Sequence, residues 1–114
     1  PDLLEAYHYR GIVRYGMKDL DGALADYNKA ISLGLKSSAV YFNRGVIFHQ
    51  KGQLSDAIES YSRSIEIDPS NARAYYNRAI SKLIVDNYKE ALQDLEISKR
   101  LGYSKAAEII SQYY

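Results

Sequence analysis

Two asparagines separated by 34 residues, Asn43 and Asn77, carry the side chains best suited to holding another polypeptide. An amide group has two donor hydrogens and an acceptor oxygen, so it can bond both backbone groups of an extended peptide without reading its side chains. Each asparagine follows an aromatic residue, Phe42 or Tyr76, which adds apolar contact area. We therefore predict that the pair anchors a peptide. The alternative is that each amide bonds water or a neighbouring helix of its own chain.

The chain offers little for catalysis or metal binding. Its only histidines, His8 and His49, stand far apart and it has no cysteine, so neither a metal site nor a nucleophile with its base is indicated. Asp19 and Asp21 lack the rest of a calcium loop and instead favour the start of a helix. A glycine-rich phosphate loop is also missing. We predict a protein that is not an enzyme and uses no cofactor or metal.

The elements that position these residues recur every 34 residues, three times. Such a period is typical of stacked supersecondary units, which build an extended groove rather than an enclosed pocket. The sets in register are Tyr7, Tyr41 and Tyr75; Arg10, Arg44 and Arg78; Gly11, Gly45 and Ala79; Ala23, Ala57 and Ala91; and Tyr27, Tyr61 and Leu95.

Each unit contains two segments with helical spacing of apolar residues. Short links between the segments require partner helices to lie antiparallel. Polar residues that can cap a helix precede the first helices of the second and third units: Ser37 or Ser38, and Ser70 or Asn71. Ser104 offers a similar start for the helix that follows the third unit. The first segments are predicted at about 3–17, 38–51 and 72–85, and the second at about 20–33, 54–67 and 88–101.

The small residues at the middle of the first helices predict where helices approach closely. Glycine there costs about 1 kcal/mol relative to alanine, which is tolerable only where close approach requires it. We expect Gly11 and Gly45 to face the small Ala23 and Ala57 of the second helices, with Tyr27 filling the space beside them.

The order of a small residue, an alanine twelve residues later, an aromatic four residues after that and a closing proline resembles the tetratricopeptide repeat. The middle unit matches best, through Gly45, Ala57, Tyr61 and Pro69. The resemblance covers about residues 4–105. It implies an all-α, right-handed α-solenoid of three antiparallel helix pairs plus a C-terminal capping helix. We predict one domain over residues 1–114, with repeats at about 4–37, 38–71 and 72–105 and the capping helix at about 104–113.

In such a stack the first helices line the concave surface, which is where the resemblance implies that peptides bind. The residues expected there combine apolar and aromatic groups with a few hydrogen-bonding ones, a composition typical of interaction sites. The predicted groove residues are His8, Tyr9, Ile12, Phe42, Asn43, Val46, His49, Arg73, Tyr76, Asn77 and Ile80.

One subclass of the family, the chaperone adaptors, grips a terminal carboxylate with two lysines, two asparagines and an arginine. Asn43 retains one asparagine and Arg73 could replace one lysine. The remaining places hold His8, Ile12 and Asn77. We therefore predict a degenerate clamp, without high-affinity capture of heat-shock chaperone tails.

The arginines Arg10, Arg44 and Arg78 could attract acidic ligands, or their stems could pack across the helix pair while their heads meet second-helix carboxylates. We favour the second interpretation; the carboxylates within reach are Asp26, Glu59 and Asp94. Because the first helices are mostly basic and the second mostly acidic, we also expect a surface that is positive inside and negative outside. A ligand that is apolar with some acidic residues would suit it.

The net charge of +1 and the apolar groove argue against a nucleic-acid partner. No apolar run approaches the roughly 20 residues that span a bilayer, so no membrane partner is expected. The start of the sequence is not a signal peptide, and the missing initiator Met indicates a piece of a longer protein. We predict an intracellular, cytoplasmic scaffold for protein–protein interaction. The alternative function is self-association, through the groove or through Tyr113 and Tyr114, which would give a homo-oligomer.

Overall fold

The computed structural model describes residues 2–114, which form seven helices and no strand. The predicted start of the domain at Pro1 lies outside the described residues. The helix bounds agree with the predicted segments to within about one residue at most ends. The helices are α1 Leu3–Gly16, α2 Leu20–Ser32, α3 Ser38–Gln50, α4 Leu54–Ile67, α5 Ala72–Ile84, α6 Tyr88–Arg100 and α7 Ser104–Tyr113.

The helices pack as three pairs, α1 with α2, α3 with α4 and α5 with α6, and successive pairs stack on one another. The result is an elongated molecule of 48 × 25 × 21 Å. The all-α helical repeat predicted from the sequence is thus confirmed. None of the described helices is both long enough and apolar enough to cross a lipid bilayer.

Side chains fix several helix starts. Asp19 accepts a hydrogen bond from the Gly22 amide at 3.1 Å, Ser37 accepts one from Val40, and Asn71 accepts from the first amides of α5. These bonds satisfy amide groups that have no partner inside the helix. Ser104 does not act in this way, because α7 begins at Ser104 itself and has no side-chain cap.

The close approach predicted at the mid-helix glycines is present, but the opposing residue is a tyrosine ring rather than an alanine. A Cβ atom added at Gly45 would lie 2.6 Å from Cε1 of Tyr61, and one added at Gly11 would lie 2.8 Å from Cδ1 of Tyr27. Both tyrosines are buried. Glycine is required at these positions because the ring of a core tyrosine lies directly against the helix backbone.

Arg10, Arg44 and Arg78, called here the arginine ladder, connect the two helices of each pair, as the favoured interpretation predicted. Arg10 donates two hydrogen bonds to Asp26, at 2.9 and 2.8 Å, and Arg78 donates two to Asp94, at 2.8 and 2.7 Å. In the middle pair, Arg44 donates instead to Glu59 at 2.9 Å. The guanidinium of each arginine lies over the ring of the tyrosine three residues earlier in the same helix, which is Tyr7, Tyr41 or Tyr75.

Ion pairs between the helices act against the expected separation of charge into a positive inner and a negative outer surface. Most basic residues of the first helices pair with acids of the second helices, in the same helix pair or, for Lys51, in the preceding one. Besides the arginine ladder, the pairs are Arg14 with Asp26, Lys51 with Asp21 and Lys82 with Asp94. Within residues 2–114, only Arg73 among these basic residues has no acidic partner within ion-pair distance.

The pairing of Asp26 predicts how stability depends on pH. Its hydrogen bond from Arg10, aided by the charges of Arg10 and Arg14, lowers the pKa of the Asp26 carboxyl against the opposing effect of burial. A carboxyl with a lowered folded pKa stabilises the fold above its unfolded pKa of about 3.9, and this stabilisation is lost as the pH falls through the folded pKa. We expect the free-energy difference between the wild type and Asp26→Asn to be largest at neutral pH and to shrink in acid.

Urea unfolding followed by circular dichroism, from about pH 7 down to about pH 2, measures that difference. Asp56→Asn is a control, since Asp56 is an exposed aspartate in the first turn of α4. A difference between wild type and Asp26→Asn that stayed constant over the whole range would contradict the assignment.

Candidate functional site

The middle of the predicted groove contains a hollow of about 250 Å³ between α3 and α5, with α4 at its base. It brings together five of the residues predicted from the sequence. Two further residues, Gln50 and the buried Tyr61, were missed because they belong to the end of a first helix and to a second helix. The lining residues are Val46, His49, Gln50, Tyr61, Tyr76, Asn77 and Ile80.

Each asparagine of the predicted pair stands beside a buried tyrosine hydroxyl of the preceding helix pair. The Nδ2 atom of Asn43 donates to the hydroxyl of Tyr27 at 3.3 Å. Burial raises the pKa of Tyr61 to about 12, and a hydrogen bond from Asn77 acts on that pKa in the opposite direction. For Asn43 the structure thus agrees with the alternative to peptide binding, in which the amide bonds a neighbouring helix of its own chain. The Oδ1 atom of Asn43 makes no hydrogen bond to residues 2–114.

Phe42 and Arg73, two of the predicted groove residues, lie against each other beside Tyr61. The Phe42 ring lies 5.7 Å from the Tyr61 ring, centroid to centroid, and the guanidinium of Arg73 lies 5.5 Å from the Phe42 centroid. The positive charge of Arg73 also opposes the effect of burial on the pKa of Tyr15 and of Tyr61. Arg73, which is exposed and has no acidic partner among residues 2–114, therefore lies beside the aromatic ring of Phe42.

The first helix contributes a more open part of the surface. His8 and Tyr9 stack with ring centroids 5.5 Å apart, and Tyr9 and Ile12 are 60% and 45% exposed. These residues line neither of the two hollows along α5. The structure therefore places His8, Tyr9 and Ile12 on α1, apart from the cluster around Tyr61 and Ile80.

His49 contacts the third helix pair rather than the other histidine. Its Nδ1 atom lies 3.4 Å from the Ser81 hydroxyl. Across residues 2–114, no three His, Asp or Glu side chains are arranged to hold a metal ion.

A second and larger hollow, of about 640 Å³, adjoins the first where α5, α6 and α7 meet. Ile80 lines both hollows, so they lie next to each other along α5. The Tyr114 hydroxyl donates to the Tyr88 backbone carbonyl at 2.8 Å, which holds the end of the chain against this hollow. The lining residues are Ile80, Leu83, Ile84, Tyr88, Ile109, Tyr113 and Tyr114.

This hollow was not predicted, because it depends on how α7 folds onto the third helix pair. α7 was expected to cover that pair with its apolar face, and this is confirmed: Ala106 is buried, and Ile109 and Ile110 pack with the core of α5 and α6. The covering is incomplete at its end. Tyr113 and Tyr88 remain 70% and 56% exposed, so the closing helix extends the apolar surface of the groove.

Comparison with known proteins supports the resemblance seen in the residues. The family model described as TPR repeat matches residues 45–82, from the second half of α3 through α4 into α5. No curated protein matches the chain in sequence.

Three solved structures are similar over most of their length. The TPR domain of Arabidopsis OM64 is 26% identical, with 93% of this chain and 88% of that chain covered and a TM-score of 0.81. The TPR2B domain of yeast Sti1, solved as a complex with pHsp70, is 26% identical, with coverage of 98% and 94% and a TM-score of 0.79. The first TPR of Spaghetti (RPAP3), bound to the HSP90 peptide SRMEEVD, is 16% identical, with coverage of 96% and 88% and a TM-score of 0.83, which supports the fold alone.

The stacked helix pairs, the glycine-to-tyrosine contacts that recur with the period, the family-model match and these structures agree. The resemblance stated from the sequence is therefore confirmed: residues 45–82 match the model of the TPR repeat, and the chain has the fold of a tetratricopeptide repeat domain.

Proposed function

We propose that the chain is a non-catalytic scaffold that binds a segment of a partner protein in the groove of α1, α3 and α5. The observation that carries this proposal is the pair of adjacent hollows that meet at Ile80, whose apolar and aromatic walls are not covered by residues 2–114. Exposed apolar surface of this kind is typical of interaction sites. A cytoplasmic location and a single domain of three repeats remain predictions.

The charge of the groove suggests the chemistry of the ligand. The other cations of the first helices form ion pairs with acids of the second helices, whereas Arg73 has no acidic partner among residues 2–114 and is available to a ligand. We infer a segment with one or more large apolar residues for the hollows and an acidic group near Arg73. This pattern differs from that of a nucleic-acid ligand, which needs several cations along its backbone.

The structural neighbours support a peptide ligand. The Sti1 domain, 26% identical to this chain, was solved in complex with pHsp70. A domain of this fold therefore accepts a segment of another protein, and the groove of this chain has the shape and the exposed aromatic residues to do the same.

A selection from a displayed peptide library tests the proposal, with the wild-type chain as the only bait and the affinity of each selected peptide then measured for the wild type and for the variants. We expect peptides rich in apolar and acidic residues that bind the wild type, and an affinity reduced at least about tenfold by Arg73→Glu or Ile80→Asp. Arg100→Glu, at the exposed end of α6, is the matched charge control and should bind normally. Selected peptides that bound all variants equally would place the binding surface elsewhere.

The degenerate clamp gives a separate prediction about chaperone tails. Of the five places, only Asn43 and Arg73 have suitable side chains, and the amide of Asn43 already donates to Tyr27. We expect fluorescence polarisation with the labelled peptide SRMEEVD to show no saturation below about 100 μM, which corresponds to less than about 6 kcal/mol of binding free energy. A dissociation constant near one micromolar would contradict this prediction.

A further inference from the structure

The hollow between α3 and α5 corresponds, one period earlier, to a place between α1 and α3 where a side chain of the protein itself packs. The hollow adjoins the buried Tyr61, and His49 is among the residues that line it. The equivalent positions in the first helix pair hold Tyr27 and Tyr15. The Tyr15 ring packs against the Tyr27 ring, with centroids 6.4 Å apart, and against the core around it. A phenol ring therefore lies beside the buried tyrosine in the first pair, where the second pair has a hollow.

The surroundings of the two places correspond. Asn43 donates to the Tyr27 hydroxyl, and a hydrogen bond from Asn77 acts in the same way on Tyr61. Apolar groups line both places: Val46, Tyr76 and Ile80 of the hollow are the equivalents of Ile12, Phe42 and Val46. The largest reduction in side-chain size is at residue 49, where an imidazole replaces the phenol of residue 15.

The hollow has room for an aromatic ring. The Nδ1 atom of His49 lies 3.4 Å from the hydroxyl of the fully buried Ser81, so the imidazole contacts α5. A volume of about 250 Å³ remains open beside it. An engineered apolar cavity of about 150 Å³ is already large enough to bind benzene.

We propose that this hollow takes a tyrosine side chain of the partner segment, in the place beside Tyr61 that Tyr15 occupies beside Tyr27. This inference rests on the function proposed above and specifies its ligand. The phenol hydroxyl would meet the polar groups of the lining, which are those of His49, Gln50 and Asn77. Covering such groups without giving them a hydrogen bond is unfavourable, so tyrosine is preferred to phenylalanine.

Arg73 adds a second feature to the ligand. It lies on the same helix as Asn77 and Ile80, roughly 8 Å along the axis from the midpoint between them, because an α-helix rises about 1.5 Å per residue. An extended chain advances about 3.3 Å per residue. For an extended segment that runs along α5, the acidic residue that pairs with Arg73 is therefore two or three positions from the tyrosine.

A small probe tests the hollow without a partner protein. Nuclear magnetic resonance titration of the full chain with N-acetyl-tyrosinamide should give saturable shifts at Val46, Asn77 and Ile80, with a dissociation constant on the order of ten millimolar. N-acetyl-leucinamide should bind more weakly. The variant His49→Tyr should fill the hollow as Tyr15 fills its place, remain folded, and lose the shifts. Gln93→Tyr, which adds the same side chain at an exposed position of α6, is the matched control and should keep them.

The peptides selected with the wild-type chain provide the second measurement. We expect them to contain a tyrosine two or three positions from an acidic residue. Replacing that tyrosine by alanine should weaken binding at least about tenfold, and replacing it by phenylalanine about threefold to tenfold. His49→Tyr should weaken binding of the original peptides at least about tenfold, because the chain then occupies its own hollow.

Failure of this inference differs from failure of the proposed function. If the selected peptides bind the wild type, lose affinity with Arg73→Glu, and yet bind His49→Tyr normally or tolerate alanine at every aromatic position, the groove binds peptides but the hollow takes no tyrosine. The absence of saturable shifts with N-acetyl-tyrosinamide up to about 50 mM would also overturn the inference. If instead no peptide is selected while the probe binds at the hollow, the proposed function fails and the hollow remains a site for a phenol.

Discussion

Gly45→Leu is expected to lower the free energy of unfolding by about 3 kcal/mol, and Gly45→Ala by about 1 kcal/mol, because both force atoms into the Tyr61 ring. The added Cβ alone would lie 2.6 and 2.7 Å from two ring carbons. The ring cannot move aside easily, since it is 2% exposed and packs against Phe42. Alanine has a higher helix propensity than glycine, which offsets part of the loss of unfolding free energy in Gly45→Ala, by up to about 1 kcal/mol.

Gly16→Ala is the control for that offset. Gly16 is also in a first helix, but a Cβ added there has no heavy atom within 4 Å. Urea unfolding of the three variants and the wild type, followed by circular dichroism, should therefore show Gly16→Ala unchanged or slightly more stable. If Gly45→Ala were as stable as Gly16→Ala, the ring contact would not be what excludes a side chain at residue 45.

The sequence alone was sufficient for the helices, because a period of 34 residues and helical spacing of apolar positions each constrain every boundary three times. It was also sufficient to locate the tight helix contacts at Gly11 and Gly45. It could not identify what opposes them. Which side chain faces a glycine depends on the rotation and offset of the partner helix, and here these bring Tyr61 rather than Ala57 over the backbone.

Counting charges along the helices was misleading for a related reason. Arginine and lysine side chains are long enough to reach the neighbouring helix, so the helix that carries a charge does not determine the surface that shows it. Lys82 belongs to a first helix, yet its ammonium group lies 2.9 Å from Asp94 of α6. Arg73 has no such partner and points instead over Phe42, which is why it alone adds charge to the groove.

The sequence predicted the part of the candidate site that follows from the 34-residue period. It missed the part that depends on contacts between residues far apart in the sequence. Val46, Asn77 and Ile80 meet because equivalent positions of successive first helices lie side by side. The hollow closed by Tyr113 and Tyr114 joins α5 to the end of the chain, about 30 residues later, and no local pattern indicates that contact.

Asp94→Ser is expected to destabilise the fold by about 3–5 kcal/mol, the usual result of removing one partner from a buried ion pair. Asp94 accepts two hydrogen bonds from Arg78 and lies 2.9 Å from Lys82. The side chains of Arg78 and Lys82 are only 18% and 15% exposed. Without the carboxylate, two cations would remain largely shielded from water with no counter-charge.

The middle helix pair has no carboxylate at the position equivalent to Asp94, and its neighbouring residues differ in a way that compensates for this. The third pair has Asp94, Lys82 and Gln93. The equivalent residues of the middle pair are Ser60, Phe48 and Glu59, in that order. Arg44 then donates to Ser60 at 3.0 Å and to Glu59 at 2.9 Å, and its guanidinium lies 5.9 Å from the Phe48 ring centroid. The second cation has been replaced by an apolar ring, and the anion has moved to the exposed edge.

Transferring this arrangement should therefore rescue the third pair. We expect the triple variant Lys82→Phe, Gln93→Glu, Asp94→Ser to recover most of the lost free energy of unfolding, to within about 1–2 kcal/mol of the wild type, since apolar replacement of a buried ion network is often close to neutral. Gln93→Glu with Asp94→Ser, but with Lys82 kept, is the control and should remain unstable, because the buried ammonium group of Lys82 stays unpaired. Equal stability of the triple variant and of Asp94→Ser alone would show that the three positions do not act together.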